Sequence, residues 1–269
     1  MKTRQKLAFL DLAGMPSYPR LDPAQLREYL TRIGFLSAST HMHALPAPTL
    51  ETLADLSLRH LQTIPFENFG VLLTRNISMK IDAVFSKLVE GLRGGYCFEQ
   101  NTLLLAALGS LGFDVYPMLC RVRWMKTPDA QTPYTHLVLV IRFEGGKQHY
   151  LVDVGFGGIG SLVPLPIIAD AAGAETRCAD GTYRFVTRRL SSDGSQDDLY
   201  TVLQWKAPDF TEYRDLYMFR SHLSPALDMD VEGANWWSCC HPSARWVNCL
   251  FTSIVTKSLQ RVHVQNMDY

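Results

Sequence analysis

The amino-acid sequence predicts an α+β fold. Apolar residues recur at helical spacing from Leu21 to about Lys87, and alternate with period two after about Val115. Between these regions the stretch RGGYCFEQN, Arg93 to Asn101, places one cysteine, Cys97, behind a Gly-Gly turn and at the head of a helix.

The elements follow from local signals. Asp22 caps a first helix with Pro23 at its first position, Leu26, Tyr29, Leu30 and Ile33 mark its inner face, and Gly34 ends it. A second helix runs from Thr49 through Leu53, Leu56 and Leu61 to Pro65. The segment IPFENF then sets the polar pair Glu67 and Asn68 beside Phe66. This pair is either a solvated turn or a buried pair with Arg93 as the cation for Glu67. The cysteine helix carries the apolar run Leu103 to Leu111 and stops at Gly112. Val115 to Trp124 reads as a strand, and HLVLVIRF and QHYLVDV as a hairpin. Beyond Ala171, CADGTYRFV suggests another hairpin and SSDGSQDD a loop, with aromatic core segments after them.

Composition excludes some classes of partner. The 26 basic and 26 acidic side chains cancel, so no net field favours nucleic acid or an anionic membrane, and neither is expected. In MKTRQKLAFLDLAGMP, Asp11 interrupts the apolar residues short of a signal or span, which points to the cytosol. The six cysteines lack framework spacing and are expected as reduced thiols. Cys239, Cys240, His241 and Cys249 lie close in sequence, but vicinal cysteines lack the spacing of a zinc site, so no metal is expected.

Three residue types needed for nucleophilic catalysis converge. Cys97 sits in the first turn of its helix, where unpaired N–H groups and the helix dipole favour a thiolate; a lone cysteine there is equally a small buried hydrophobe. If the hairpin turns through Gly145-Gly146 or through Glu144 to Lys147, Asp153 faces Val138 and His136 faces Gly155. His136 and Asp153 then share a sheet face as diagonal neighbours roughly 7–8 Å apart. A thiol, an imidazole to take its proton and a carboxylate to hold the imidazole make a Cys–His–Asp triad, set against a strand histidine and a turn-capping aspartate. GFGGIG, Gly155 to Gly160, matches a dinucleotide fingerprint but is followed by Pro164 and Pro166, which bar the required helix. It is either a backbone cradle for an anion or a plain loop.

Taken in order, IPFENF, RGGYCFEQN, THLVLVI, YLVDVGFGG and ANWWSCCHPSARW resemble the arylamine N-acetyltransferase family over roughly Glu28 to His241. The resemblance implies an N-terminal helical domain at 1–92, a cysteine helix with a β-barrel at 93–200, and an α/β lid at 201–269, around a cysteine-protease-like Cys-His-Asp core. It implies Cys97, His136 and Asp153 as the triad and Phe156 in the substrate pocket, with Gly157 and Gly158 beside substrate or CoA. Arg93, Glu67 and Asn68 would form a polar layer around the triad. The implied chemistry is ping-pong transfer from acetyl-CoA, a co-substrate and not a resident cofactor, to an arylamine, arylhydroxylamine or hydrazine. Members using other acyl-CoA donors would present the same triad. A papain-like protease or transglutaminase, or a non-catalytic binding member, would share parts of this pattern. The lid is expected to be shortened, since the family usually continues beyond it, with weaker CoA binding and self-association at an open sheet edge. Ser-Thr usually stands where this chain has Cys239-Cys240. The helix start and His136 together are expected to depress the Cys97 thiol below about 8.5.

Overall fold

The computed structural model describes residues 18–37, 45–127, 130–167, 174–189 and 199–266. The N-terminal stretch MKTRQKLAFLDLAGMP and the SSDGSQDD loop lie outside them.

The first third is helical, as its period dictates. Asp22 caps α1 (Pro23–Arg32) by accepting from the N–H groups of Ala24 and Gln25 at 2.8 and 2.9 Å, and the Gln25 side chain takes the Asp22 N–H in return. Thr49 caps α2 (Leu50–Thr63) through the Thr52 N–H at 3.2 Å. IPFENF is neither a helix nor a solvated turn: Phe66–Glu67 form a short strand, β1. After α3 (Phe69–Thr74), α4 (Ile81–Phe85) runs into a π-helical turn at Ser86–Glu90. The helix α5 (Cys97–Ser110) is buried on every side from Cys97 to Leu108, and Gly112 stops it at φ 85°. A buried chain of side chains ties the helices together: Tyr29 Oη meets His60 Nδ1 at 3.0 Å, and His60 Nε2 meets Gln100 Oε1 at 2.6 Å.

The strands form one large antiparallel sheet. They are β2 (Asp114–Val122), β3 (Tyr134–Phe143), β4 (Gln148–Val152), β5 (Leu165–Ile167), β6 (Glu175–Cys178), β7 (Gly181–Arg189), β8 (Leu199–Lys206) and β9 (Arg214–Arg220), in the spatial order β5-β4-β3-β2-β9-β8-β7-β6. The sheet curls until Leu165 of β5 and Tyr183 of β7 share one buried cluster, so it makes a nearly closed barrel. The β3–β4 hairpin has the register expected for the four-residue turn, with Phe143 opposite Gln148 and Leu139 opposite Val152. Its ladder stops one pair short of Asp153, which leaves the sheet. Residue 200, where the sequence reading closes the barrel segment, lies inside β8, and the same sheet continues to Arg220 because β9 pairs with both β8 and β2.

The C-terminal segment contains α6 (Asp228–Cys240), α7 (Arg245–Asn248), β10 (Phe251–Val255) and β11 (Arg261–Gln265). It docks by completing a three-stranded sheet in the order β1-β10-β11. Asn68 fixes that docking. Its amide donates to the carbonyls of Trp246 and Cys249 at 2.9 and 2.6 Å and accepts the Phe251 N–H at 2.8 Å. Asn68→Ala strands three largely buried backbone groups and should cost about 2–3 kcal/mol. Hydrogen exchange should show accelerated amides across β10 and β11 and unchanged protection in β2 and β3.

Candidate active site

Every polar residue of the RGGYCFEQN stretch after its tyrosine has a distinct structural task. The two glycines are dictated by space: a Cβ on Gly94 would run into the Pro65 carbonyl, and one on Gly95 would stand 2.8 Å from Glu99 Oε2. This lets the chain pass beside β1, where Glu67 N–H donates to Gly95 O at 3.0 Å. Glu99 folds back to accept the Tyr96 N–H at 3.1 Å, closing the helix start. The Gln100 amide donates to Pro65 O at 2.8 Å. Asn101 donates to Leu137 O at 2.8 Å and to Asp153 Oδ1 at 3.1 Å, and accepts the Val154 N–H at 3.2 Å. A single amide thus holds α5, β3 and the segment that follows β4.

These contacts bring Cys97, His136 and Asp153 into one buried cluster. His136 Nε2 and Asp153 Oδ2 are 2.7 Å apart, both side chains nearly inaccessible. Asp153 also accepts the Gly155 N–H at 2.9 Å. Because β4 ends at Val152, this end of β3 turns its polar groups to α5. The Cys97 thiol points to Thr135 O at 3.7 Å, and the Leu137 N–H is directed at the sulfur. His136 lies between those two residues. Its ring packs in a three-ring cluster with Phe156 and Tyr217, each centroid 5.0 Å from it and 5.1 Å from the other.

Burial opposes ionisation of Asp153, but His136, the Gly155 N–H and Asn101 outweigh it and hold the carboxyl below its ordinary value. The Cys97 thiol goes the other way. Burial pushes it well up, the Asp153 charge adds to this, and hydrogen bonds from the Leu137 and Phe98 N–H groups only partly compensate. The depressed thiol expected from the helix start and His136 together is not what the burial favours: at a sulfur that is 2% exposed, desolvation acts in the opposite direction and is the larger effect.

The polar residues expected around the triad divide. Glu67 is buried, accepts the Phe69 N–H at 2.6 Å and lies 3.4 Å from Lys87 Nζ. Lys87 also reaches Glu99 at 2.8 Å, so one cation serves two buried carboxylates. Arg93, the partner expected for Glu67, is half exposed and 3.5 Å away, a contact of the strength of surface pairs. Asn68 faces the C-terminal segment. The glycine loop is also held from that side: a Cβ on Gly158 would stand 3.0 Å from the Phe251 ring, and Arg261 donates to Gly157 O at 2.9 Å and Gly160 O at 2.6 Å. Its carbonyls bind a guanidinium, so the loop is a packed joint where the sequence left open an anion cradle. A cavity of about 550 Å³ opens between the ends of β2 and β3 and helix α6, lined by Tyr134, Arg220, His222 and Trp237 among others; none of Cys97, His136 and Asp153 lines it.

Residues 49–269 match the family described as N-acetyltransferase. The arylamine N-acetyltransferase of Mycolicibacterium smegmatis is 36% identical over 230 residues, 85% of this chain and 75% of that protein. The solved structure of the Mycobacterium tuberculosis arylamine N-acetyltransferase superposes with a TM-score of 0.75 at 34% identity, covering 89% of this chain and 81% of that one. The chain belongs to the arylamine N-acetyltransferase family. The Mycobacterium marinum arylamine N-acetyltransferase solved in complex with CoA is similar too, with a TM-score of 0.74 at 32% identity over 89% of this chain and 80% of that one.

Within this acetyltransferase framework the structure adds residues that the sequence reading missed. Tyr217 of β9 packs against His136 with the rings tilted by 48°, and its hydroxyl feels the Asp153 charge, which together with burial holds the phenol well above its ordinary value. Nothing local distinguishes it, since Leu216, Met218 and Phe219 around it are equally buried. Lys87, Asn101 and Arg261 were silent for the same reason: each acts across the fold.

Asp153→Asn removes the carboxylate that faces His136, and turnover should fall by about 10³–10⁴-fold with the fold retained. Asp153 titrates lower folded than unfolded, so its contribution to stability is full above an unfolded value of about 3.9 and is lost as pH falls through the folded value. Acid unfolding curves of the Asn variant should accordingly lose that part of their pH dependence. Arg261→Met frees the glycine loop beside Phe156. The KM for the amine should rise about tenfold, whereas single-turnover acetylation of Cys97 should change less than about threefold.

Proposed function

We propose that the chain transfers an acetyl group from acetyl-CoA to the nitrogen of an arylamine or hydrazine, or to an arylhydroxylamine, through an acetyl-Cys97 intermediate. The observation that carries this reading is the buried His136–Asp153 pair, 2.7 Å apart, beside a cysteine at the first position of a helix. Acetyl-CoA enters as a substrate. His136 takes the Cys97 proton as sulfur attacks the thioester carbonyl; the C–S bond to CoA breaks and the proton leaves with the CoA thiol. The amine then attacks the acetyl-cysteine, and its proton passes through His136 back to Cys97 sulfur. Asp153 holds the imidazole and stabilises its cation in both halves. A backbone N–H at the head of α5 donates to the developing oxyanion. Phe156, against His136, forms the acceptor side of the pocket, and Gly157 and Gly158 carry the loop that shapes it.

Among the described residues no helix is long and apolar enough to cross a membrane; the six unpaired cysteines support a reducing compartment such as the cytosol. Val262 and Val264 are exposed on β11, which pairs only with β10 among the described strands, and this edge is a route to association of two copies.

Mixing with acetyl-CoA should add one acetyl group to Cys97 by intact-mass spectrometry, none to Cys97→Ala, and an arylamine should remove it. An acetylated Cys97→Ala protein, or an acetyl-enzyme inert to amines, would overturn the reading. For the edge, sedimentation should show a concentration-dependent dimer that Val264→Lys abolishes; a monomer at every concentration removes it.

A further inference from the structure

Helix α6 ends in two adjacent cysteines whose sulfurs are already gathered. Cys239 Sγ and Cys240 Sγ lie 3.6 Å apart. Backbone carbonyls position both thiols: Cys240 Sγ is 2.9 Å from Arg75 O, and Cys239 Sγ is 3.7 Å from Trp236 O. Cys239 is buried, whereas Cys240 is half-buried and gives the pair an opening to solvent.

The pair is poorly built for a disulfide. Consecutive Cα atoms across a trans peptide are about 3.8 Å apart, below the usual window of about 4.4–6.8 Å for bridged cysteines. Both residues are also helical, so closing an S–S bond would unwind the last turn. A divalent zinc ion is equally unsuited, because it needs four ligands and no group of three His, Cys, Asp or Glu side chains is placed to hold a metal among the described residues.

Two soft ligands match a centre with two vacant positions. Two bonds of about 2.3 Å to a shared atom, from sulfurs at the observed separation, close at an angle of about 100°, the shape of a pyramidal three-coordinate centre. Trivalent arsenic carrying one organic group has that shape and that vacancy. Trp236 lies one helical turn before Cys240 on the same face of α6 and is exposed, offering an indole surface to an aryl substituent.

We propose that Cys239 and Cys240 form a chelating dithiol site for trivalent arylarsenicals. With an arylarsine oxide, two As–S bonds form while the As=O bond and both S–H bonds break. The oxygen leaves as water with the two thiol protons. Arsenic remains trivalent, so no oxidant is required. Cys97 packs in the same buried cluster as Cys239, but its thiol is turned to the Thr135 carbonyl and takes no part in the Cys239–Cys240 contact.

The test uses the full chain carrying Cys97→Ala, which removes the catalytic thiol. It is mixed with phenylarsine oxide, challenged with excess glutathione as a monothiol competitor, and analysed by intact mass. One phenylarsenic group should be retained, be released by 2,3-dimercaptopropanol, and map to the tryptic peptide 221–245. Cys240→Ser in this background leaves a single sulfur and should lower retention by about 10²-fold or more, the loss of the second, intramolecular bond. Cys240 is only half-buried, so that variant is expected to unfold at the parent temperature, which a thermal melt verifies. Absence of a glutathione-resistant adduct, equal retention in Cys240→Ser, or an adduct on any other peptide overturns the proposal. The peptide map needs no substitution at either cysteine, so it decides the question even if Cys240→Ser fails to fold.

Discussion

The approach of Gly155 to the head of α5 is the contact on which the rest of the site depends. A Cβ at Gly155 would stand 2.7 Å from both Cys97 Cα and Asn101 Nδ2, so the segment after β4 is laid directly on the Cys97 backbone. Because that approach is possible, Asn101 reaches both Leu137 O and Asp153 Oδ1, and Asp153 is turned toward His136. The helix, the strand and the loop are then one rigid unit. Side-chain chemistry that needs sub-ångström placement is carried by backbone packing, which is less compliant than any hydrogen bond.

Charge is placed under tight constraint around this unit. Glu67 and Glu99 are both buried, and burial raises the Glu99 carboxyl even with Lys87 beside it. Lys87 offsets two desolvation penalties at once, and the glutamates satisfy backbone donors at Phe69 and Tyr96. The triad follows the same economy. Asp153 is kept ionised by partners that outweigh its burial, while Cys97 lacks enough donors to ionise alone. The Asp153 carboxylate lies against the His136 imidazole, where it fixes the ring's orientation and favours positive charge on it.

The C-terminal segment completes the site from the opposite side. Phe251 covers Gly158, Arg261 grips the carbonyls of Gly157 and Gly160, and Asn68 locks the chain at Trp246, Cys249 and Phe251. Helix α6 contributes Asn235, which bonds the Tyr96 hydroxyl and the Ile77 carbonyl. The residues flanking Cys97 are therefore ordered by parts of the chain more than a hundred residues later.

Period and punctuation in the sequence determined the helices α1, α2 and α5, the β3–β4 register and the pairing of His136 with Asp153. Each follows from short-range physics: a cap, a glycine stop, or a turn whose length sets which residues face each other. The IPFENF segment was not legible as a strand, because its partner β10 lies far along the chain and a two-residue strand has no period of its own. The barrel's continuation to Arg220 was hidden similarly, since β9 is drawn into the sheet by β2 and β8 and not by a local signal. Arg93 does reach Glu67, at 3.5 Å, but the largely buried Lys87, which no local signal announced, shares the same carboxylate at 3.4 Å. The thiol's ionisation was decided by tertiary structure alone: a helix start favours a thiolate, but how much water remains at the sulfur is set by everything packed over it.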